Sequence, residues 1–158
     1  MSTITTLQEL AKQVRNSTLK NLTQADVPAL MFAPKGTSNH MIWHAGHALW
    51  VVDLLGIRLL TGAGELPDGW ADTFGMNCRP VSETTEWPDR DFLAGLLEKQ
   101  LDRLTELLGQ STEERLAEPA DPVRGPMSVS ARITHGLHDE ARHCGEMHLL
   151  NKIFCSQA

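Results

Sequence analysis

Apolar residues recur at helical spacing along four stretches of the chain, and no run of β-branched residues alternates as a half-buried strand requires. From about Thr3 to Thr23, Leu7, Leu10, Val14 and Leu22 fall at helical spacing. The segment "DVPALMFAPKG" then breaks the pattern with two prolines and a glycine. A second helix starts near Thr37 or Ser38, either of which can cap it. It runs to about Thr61, where Gly62 and Gly64 stop it, and it is apolar on most of its surface, as a helix buried among others must be. The third helix opens at "PDRD" with Asp89 as its cap and carries the stripe Leu93, Leu96, Leu97, Leu101, Leu104 and Leu108. A short helical turn is expected over Ser111 to Leu116, "AEPADPVRGP" breaks the chain again, and the last helix spans about Met127 to Phe154. The connection from Gly62 to Pro88 is long and holds Trp70, Phe74 and Trp87, so it should be functional or packed as a cover. This pattern predicts an all-α four-helix bundle with a long crossover loop between helices 2 and 3.

A length of 158 residues predicts a single domain over 1–158 with room for a real core. The formal charge of −6, with no lysine or arginine cluster, argues against a nucleic-acid partner. No basic-then-apolar leader and no apolar run of about 18 residues is found, so a cytoplasmic protein without a membrane partner is expected. Cys78, Cys144 and Cys155 are odd in number and match no CxxC spacing, which predicts no disulfide framework.

The seven histidines change the picture, because they concentrate in two segments of the predicted core helices. In the second helix His47 sits mid-stripe among Trp43, Trp50 and Leu54, while His44 lies nearer the flank with His40 and Val51. In the last helix "HDEARHCGEM", starting at His138, places Asp139 and His143 four residues apart on the face of Gly136, Met147, Leu150 and Phe154. His138 and Arg142 fall on the flank, and Cys144 is read as a small core residue. A buried carboxylate beside a buried imidazole is costly unless something satisfies both. A metal ion held between two helices does so; so does ordinary pairing, with Asp139 bonded to His143 and His47 to a backbone carbonyl. Spacing alone leaves both readings open.

"WHAGHALWVVDLL" (Trp43–Leu55) together with "HGLHDEARHCGEMHLLNKIF" (His135–Phe154) resembles the DinB-like, or damage-inducible, superfamily of four-helix bundles (the DinB/YfiT-like fold). The resemblance in layout spans nearly the whole chain, but only these two motifs are specific. It implies metal ligands at His47 and His143, with Gly145 and Glu146 matching the tail of the C-terminal motif. The family's other motif histidine falls on Asp139. Either Asp139 is the third ligand, giving a two-histidine, one-carboxylate set suited to Zn, Ni, Mn or Fe(II), or the site is degraded and His138 or His135 compensates in part. Glu146, His44 and Asp53 are candidates to orient the ligands. The resemblance further implies a metal-dependent transferase or hydrolase acting on a small-molecule substrate, such as a thiol-dependent S-transferase in which a divalent metal activates a low-molecular-weight thiol or a water. It also implies a homodimer. The competing expectation is a non-catalytic, stress-associated binding or scaffold bundle with a structural or degraded site.

Overall fold

Ser2 opens the first helix, α1 (Thr3–Gln24), by accepting a hydrogen bond from the Thr5 amide at 3.2 Å. The computed structural model describes residues 2–37, 39–76, 86–120 and 126–157. A 3₁₀ turn at Val27–Met31 leads to α2 (Met41–Val52). That helix passes without interruption through a π-helical turn at Asp53–Ile57 into α3 (Arg58–Thr61). Gly62 closes it at φ +90°, a left-handed conformation that costs a side-chain-bearing residue energy. A short α4 (Trp70–Phe74) lies in the crossover, and α5 (Arg90–Gln110) follows with Asp89 accepting from the Phe92 amide at 2.7 Å. After α6 (Glu113–Ala117) and an isolated antiparallel bridge between Pro119 and Ser128, α7 (Val129–Gln157) closes the fold.

The four long helices form a bundle: α1 packs between α5 and α7, and α2 packs on α7 and α5. Among the described residues there is no strand beyond that single bridge, and no helix is long and apolar enough to cross a membrane. Every residue of α2 is buried except Trp50, as its nearly all-round apolar sequence requires. Its cap differs from expectation. Thr37 closes a separate turn onto the Pro34 carbonyl, Ser38 lies outside the described residues, and His40 caps α2 with Nδ1 accepting from the Trp43 amide at 3.2 Å. The imidazole performs the task usually given to a serine or threonine oxygen.

The core divides into two apolar clusters, one around Leu22, Met41, Leu49, Leu97 and Met147, the other around Leu7, Val52, Leu104, Ile133 and Leu137. Between them in sequence on α1, α5 and α7 lies a polar layer. Arg15 on α1 donates to both Glu140 oxygens on α7, at 2.8 and 2.9 Å, and to the Leu97 carbonyl and Gln100 Oε1 on α5. Gln100 in turn donates to the Leu49 carbonyl of α2 at 3.0 Å. Arg15 is 2% exposed and Glu140 0%, so this ion pair survives burial only because nearly every donor and acceptor is matched.

Candidate metal centre

The two histidine-bearing segments meet where α2 faces α7. The His47 and His143 rings lie 4.5 Å apart between centroids, so the predicted pair does converge across the bundle. Asp139 Oδ2 is 3.3 Å from His47 Nε2 and 3.5 Å from His143 Nε2. Donor atoms around a tetrahedral ion with bonds of about 2.0–2.1 Å stand about 3.3–3.4 Å apart. His47, Asp139 and His143 therefore already carry spacing that suits one cation.

The remaining ring nitrogens point to the same assignment. His47 Nδ1 lies 2.6 Å from the Phe74 carbonyl. A carbonyl only accepts, so Nδ1 carries the proton and Nε2 keeps its lone pair towards Asp139. His143 Nδ1 lies 2.9 Å from Glu146 Oε2, the partner a ligating imidazole commonly takes on its second nitrogen. Trp43 stacks on His47 with centroids 4.6 Å apart and planes 20° from parallel, which holds the ring's orientation.

Local sequence explains how these partners arrive. Gly46, between the two histidines of "WHAGH", leaves the space that the Phe74 ring fills; a Cβ there would collide with it. Trp70 Nε1 donates to the Gly46 carbonyl at 3.0 Å, so α4 is pinned on α2 and its last carbonyl is delivered to His47. The long crossover is thus a cover, at least over α4. Cys78 and the rest of 77–85 lie outside the described residues.

Electrostatics keep the set ready for a cation. The His143 and His47 rings, within 3.5 Å of it, hold the Asp139 carboxyl well below the usual carboxylate range, so an anion stands beside both Nε2 atoms. Burial, with His143, His47 and His40 nearby, pulls His44 down to about 3, and burial pulls His40 to about 4. His44 is thus a neutral imidazole beside His143 and Glu146.

Other sequence expectations resolve differently. His44 is not a flanking residue but is buried, with Nδ1 2.8 Å from His143 Nδ1 and 3.2 Å from Glu146 Oε2. Asp53 plays no part at the site: it sits in the π turn and accepts from the Glu65 amide at 2.9 Å. His135 and His138 are exposed and supply no ligand to either candidate group. Cys144 turns towards α1, receives Asn21 Nδ2, and has its thiol pushed up by burial, as a core cysteine would. Sequence reasoning passed over Arg15, Glu140 and the Phe74 carbonyl. The first two were detectable as charged residues standing in otherwise apolar stripes; a backbone carbonyl leaves no such signal.

Comparisons with known proteins agree with this layout. The family model described as the DinB superfamily matches residues 10–147. A crystal structure of a conserved protein from Enterococcus faecalis superposes with a TM-score of 0.65 over 96% of both chains at 20% identity, a likeness of fold. No curated protein matches the sequence.

Proposed function

From the premise that the chain belongs to the DinB superfamily, we propose that it is a metal-dependent enzyme whose His47, Asp139 and His143 hold one divalent first-row cation. The observation that carries this is the engagement of the second ring nitrogens. His47 Nδ1 is tied to the Phe74 carbonyl and His143 Nδ1 to Glu146, so both Nε2 atoms are left for a cation beside an anionic oxygen. Three protein ligands leave coordination positions open, and a cation there lowers the pKa of a bound thiol or water, giving a nucleophile at neutral pH. Zn, Ni, Mn and Fe(II) all suit two imidazoles and a carboxylate. The reaction we propose is transfer or hydrolysis of a small-molecule substrate, with a low-molecular-weight thiol as the activated partner.

Within this reading each residue has a separate task. Asp139 supplies the one anionic ligand, and Trp43 and the Phe74 carbonyl fix the plane of His47. Glu146, half exposed, accepts the His143 proton and raises the basicity of the ligating nitrogen. Calorimetric titration with zinc should show binding to the native chain, none to His143→Ala, and strongly weakened binding to Asp139→Asn. Native protein that binds no zinc, nickel or cobalt would overturn the proposal. The thiol component is tested on cobalt(II)-loaded protein: adding a small thiol should produce a sulfur-to-cobalt charge-transfer band, and its absence would leave only water activation.

A second reading has its own supporting observation. His44 and His143 hydrogen-bond directly at 2.8 Å, and Asp139 lies 3.3 and 3.5 Å from the Nε2 atoms of His47 and His143, where protons on those nitrogens would satisfy the carboxylate in place of an ion. A non-catalytic scaffold bundle would look like this, and the zinc titration separates the two. We also propose assembly as a homodimer, which light scattering at several concentrations tests; a monomer at all of them would refute it.

A further inference from the structure

The cluster holds more ligand atoms than one cation uses. Beyond the three atoms assigned above, His44 Nδ1, His143 Nδ1 and Glu146 Oε2 form a second group with mutual distances of 2.8, 2.9 and 3.2 Å. For bonds of about 2.0–2.1 Å, donor atoms at right angles on one ion stand about 2.9 Å apart. The two groups have the same composition: one histidine from α2, one carboxylate from α7, and one nitrogen of His143. His47 and Asp139 face Nε2, while His44 and Glu146 face Nδ1. The sequence builds the pair from i, i+3 on α2 (His44, His47) and i−4, i, i+3 on α7 (Asp139, His143, Glu146), all turned to one seam.

We propose that the site holds two divalent cations, with His143 bridging them as an imidazolate. The proposal rests on the single-ion reading and extends it. With the first ion on Nε2, His143 keeps a proton on Nδ1, donated to Glu146. The second ion takes that place: the Nδ1–H bond breaks, an Nδ1–metal bond forms, and the proton leaves to solvent. Charge favours the exchange. Two carboxylates and one imidazolate set three negative charges against two dications, so each ion has an anionic ligand of its own and a share of the bridge. Glu146 is 49% exposed where Asp139 is 19%, so the second ion sits at the open edge and binds more weakly. Hydrogen bonding alone places these atoms less economically. The Nδ1 atoms of His44 and His143 and Glu146 Oε2 crowd together, and the His143 Nδ1–H can be given wholly to only one of its two neighbours.

Copper(II) chloride tests the proposal, because copper binds imidazole sites most strongly among these metals and reports its own coupling. Equilibrium dialysis of the native chain should give two ions per chain in steps of unequal affinity. The paramagnetic signal should grow up to one equivalent and fall as the second ion couples to the first through the imidazolate. His44→Gln should bind one ion and keep the uncoupled signal, and Glu146→Gln should do the same with a weakened first ion, because it also removes the carboxylate that accepts from His143; two variants guard against one that fails to fold. One ion per chain in the native protein, or a second that survives both variants and leaves the signal additive, overturns the bridge; the latter would be adventitious binding at exposed histidines such as His135 and His138. No binding at all would instead overturn the single-ion reading on which this one stands.

Discussion

Acidification should destabilise the metal-free protein, and His40 should account for a measurable share of the loss. This imidazole is 4% exposed, caps α2 through Nδ1, and has a buried Nε2 with no hydrogen-bond partner among the described residues. Protonation would cancel the cap, bury a charge and place it at a helix N-terminus, where the macrodipole opposes it. Its pKa accordingly falls from 6.5 to about 4. The folded pKa lies below the unfolded one, so the unfolded chain binds the proton first. Stability is then complete above pH 6.5 and is lost as the pH falls towards 4. Between pH 7 and pH 5 the linkage integral comes to about 2 kcal/mol for this one residue. His40→Asn keeps a capping side chain but cannot titrate. It should lower stability at pH 7, since the ring's contact with Trp87 at 4.5 Å is lost. It should also flatten the pH profile by about 2 kcal/mol. Urea unfolding with chelator at pH 7 and pH 5 gives both numbers. Parallel profiles for the native chain and the variant would refute the reasoning, because His40 would then titrate as a solvated residue.

Further outcomes follow from the packing around the site. Glu140→Gln should cost about 3–5 kcal/mol by leaving the Arg15 charge buried without its partner, whereas Arg15→Met with Glu140→Leu should cost far less; urea unfolding of the two variants checks this, and equal losses would refute it. Gly46→Ala should cost about 1–3 kcal/mol by displacing the Phe74 ring and should weaken zinc binding by withdrawing the carbonyl from His47; calorimetry showing native affinity would mean that α4 does not orient this ligand. Asp139→His, which restores the family motif, should retain or tighten zinc binding in the same titration, and loss of binding would show that position 139 does not face the ion.

The periodic parts of the fold were legible because burial imposes its period on sequence. The four long helices, the Asp89 cap and the Gly62 stop are direct consequences of that period and of local capping chemistry. The His40 cap was missed because an imidazole nitrogen rarely takes an oxygen's role; the only hint was a polar residue three positions before Trp43 at a helix start. The π turn at Asp53–Ile57 keeps the helical pattern while adding one residue to a turn, which apolar spacing over so short a span does not resolve. At the site, i, i+4 spacing put Asp139 and His143 on one face of the last helix, and that face meets His47. Spacing misjudged His44, because "flank" on an isolated helix becomes "interior" when α7 covers that side.

Adjacent residues on α7 explain why the bundle carries two polar networks side by side. Asp139 and Glu140 differ by one position, a rotation of about 100°. One therefore turns to the seam with α2 and the other into the core, towards α1 and α5. The buried ion pair is a poor source of net stability, since apolar residues of similar volume would fill the same space at less desolvation cost. It does specify position: Arg15 reaches both Glu140 oxygens only when α7 has one rotation and one height relative to α1, and Gln100 ties that layer to α2 through the Leu49 carbonyl. A slip of α7 by one residue would break the layer and turn Asp139 and His143 away from His47 together. The charged layer in the core thus fixes the helix that carries the acidic ligand against the helix that carries the facing histidine.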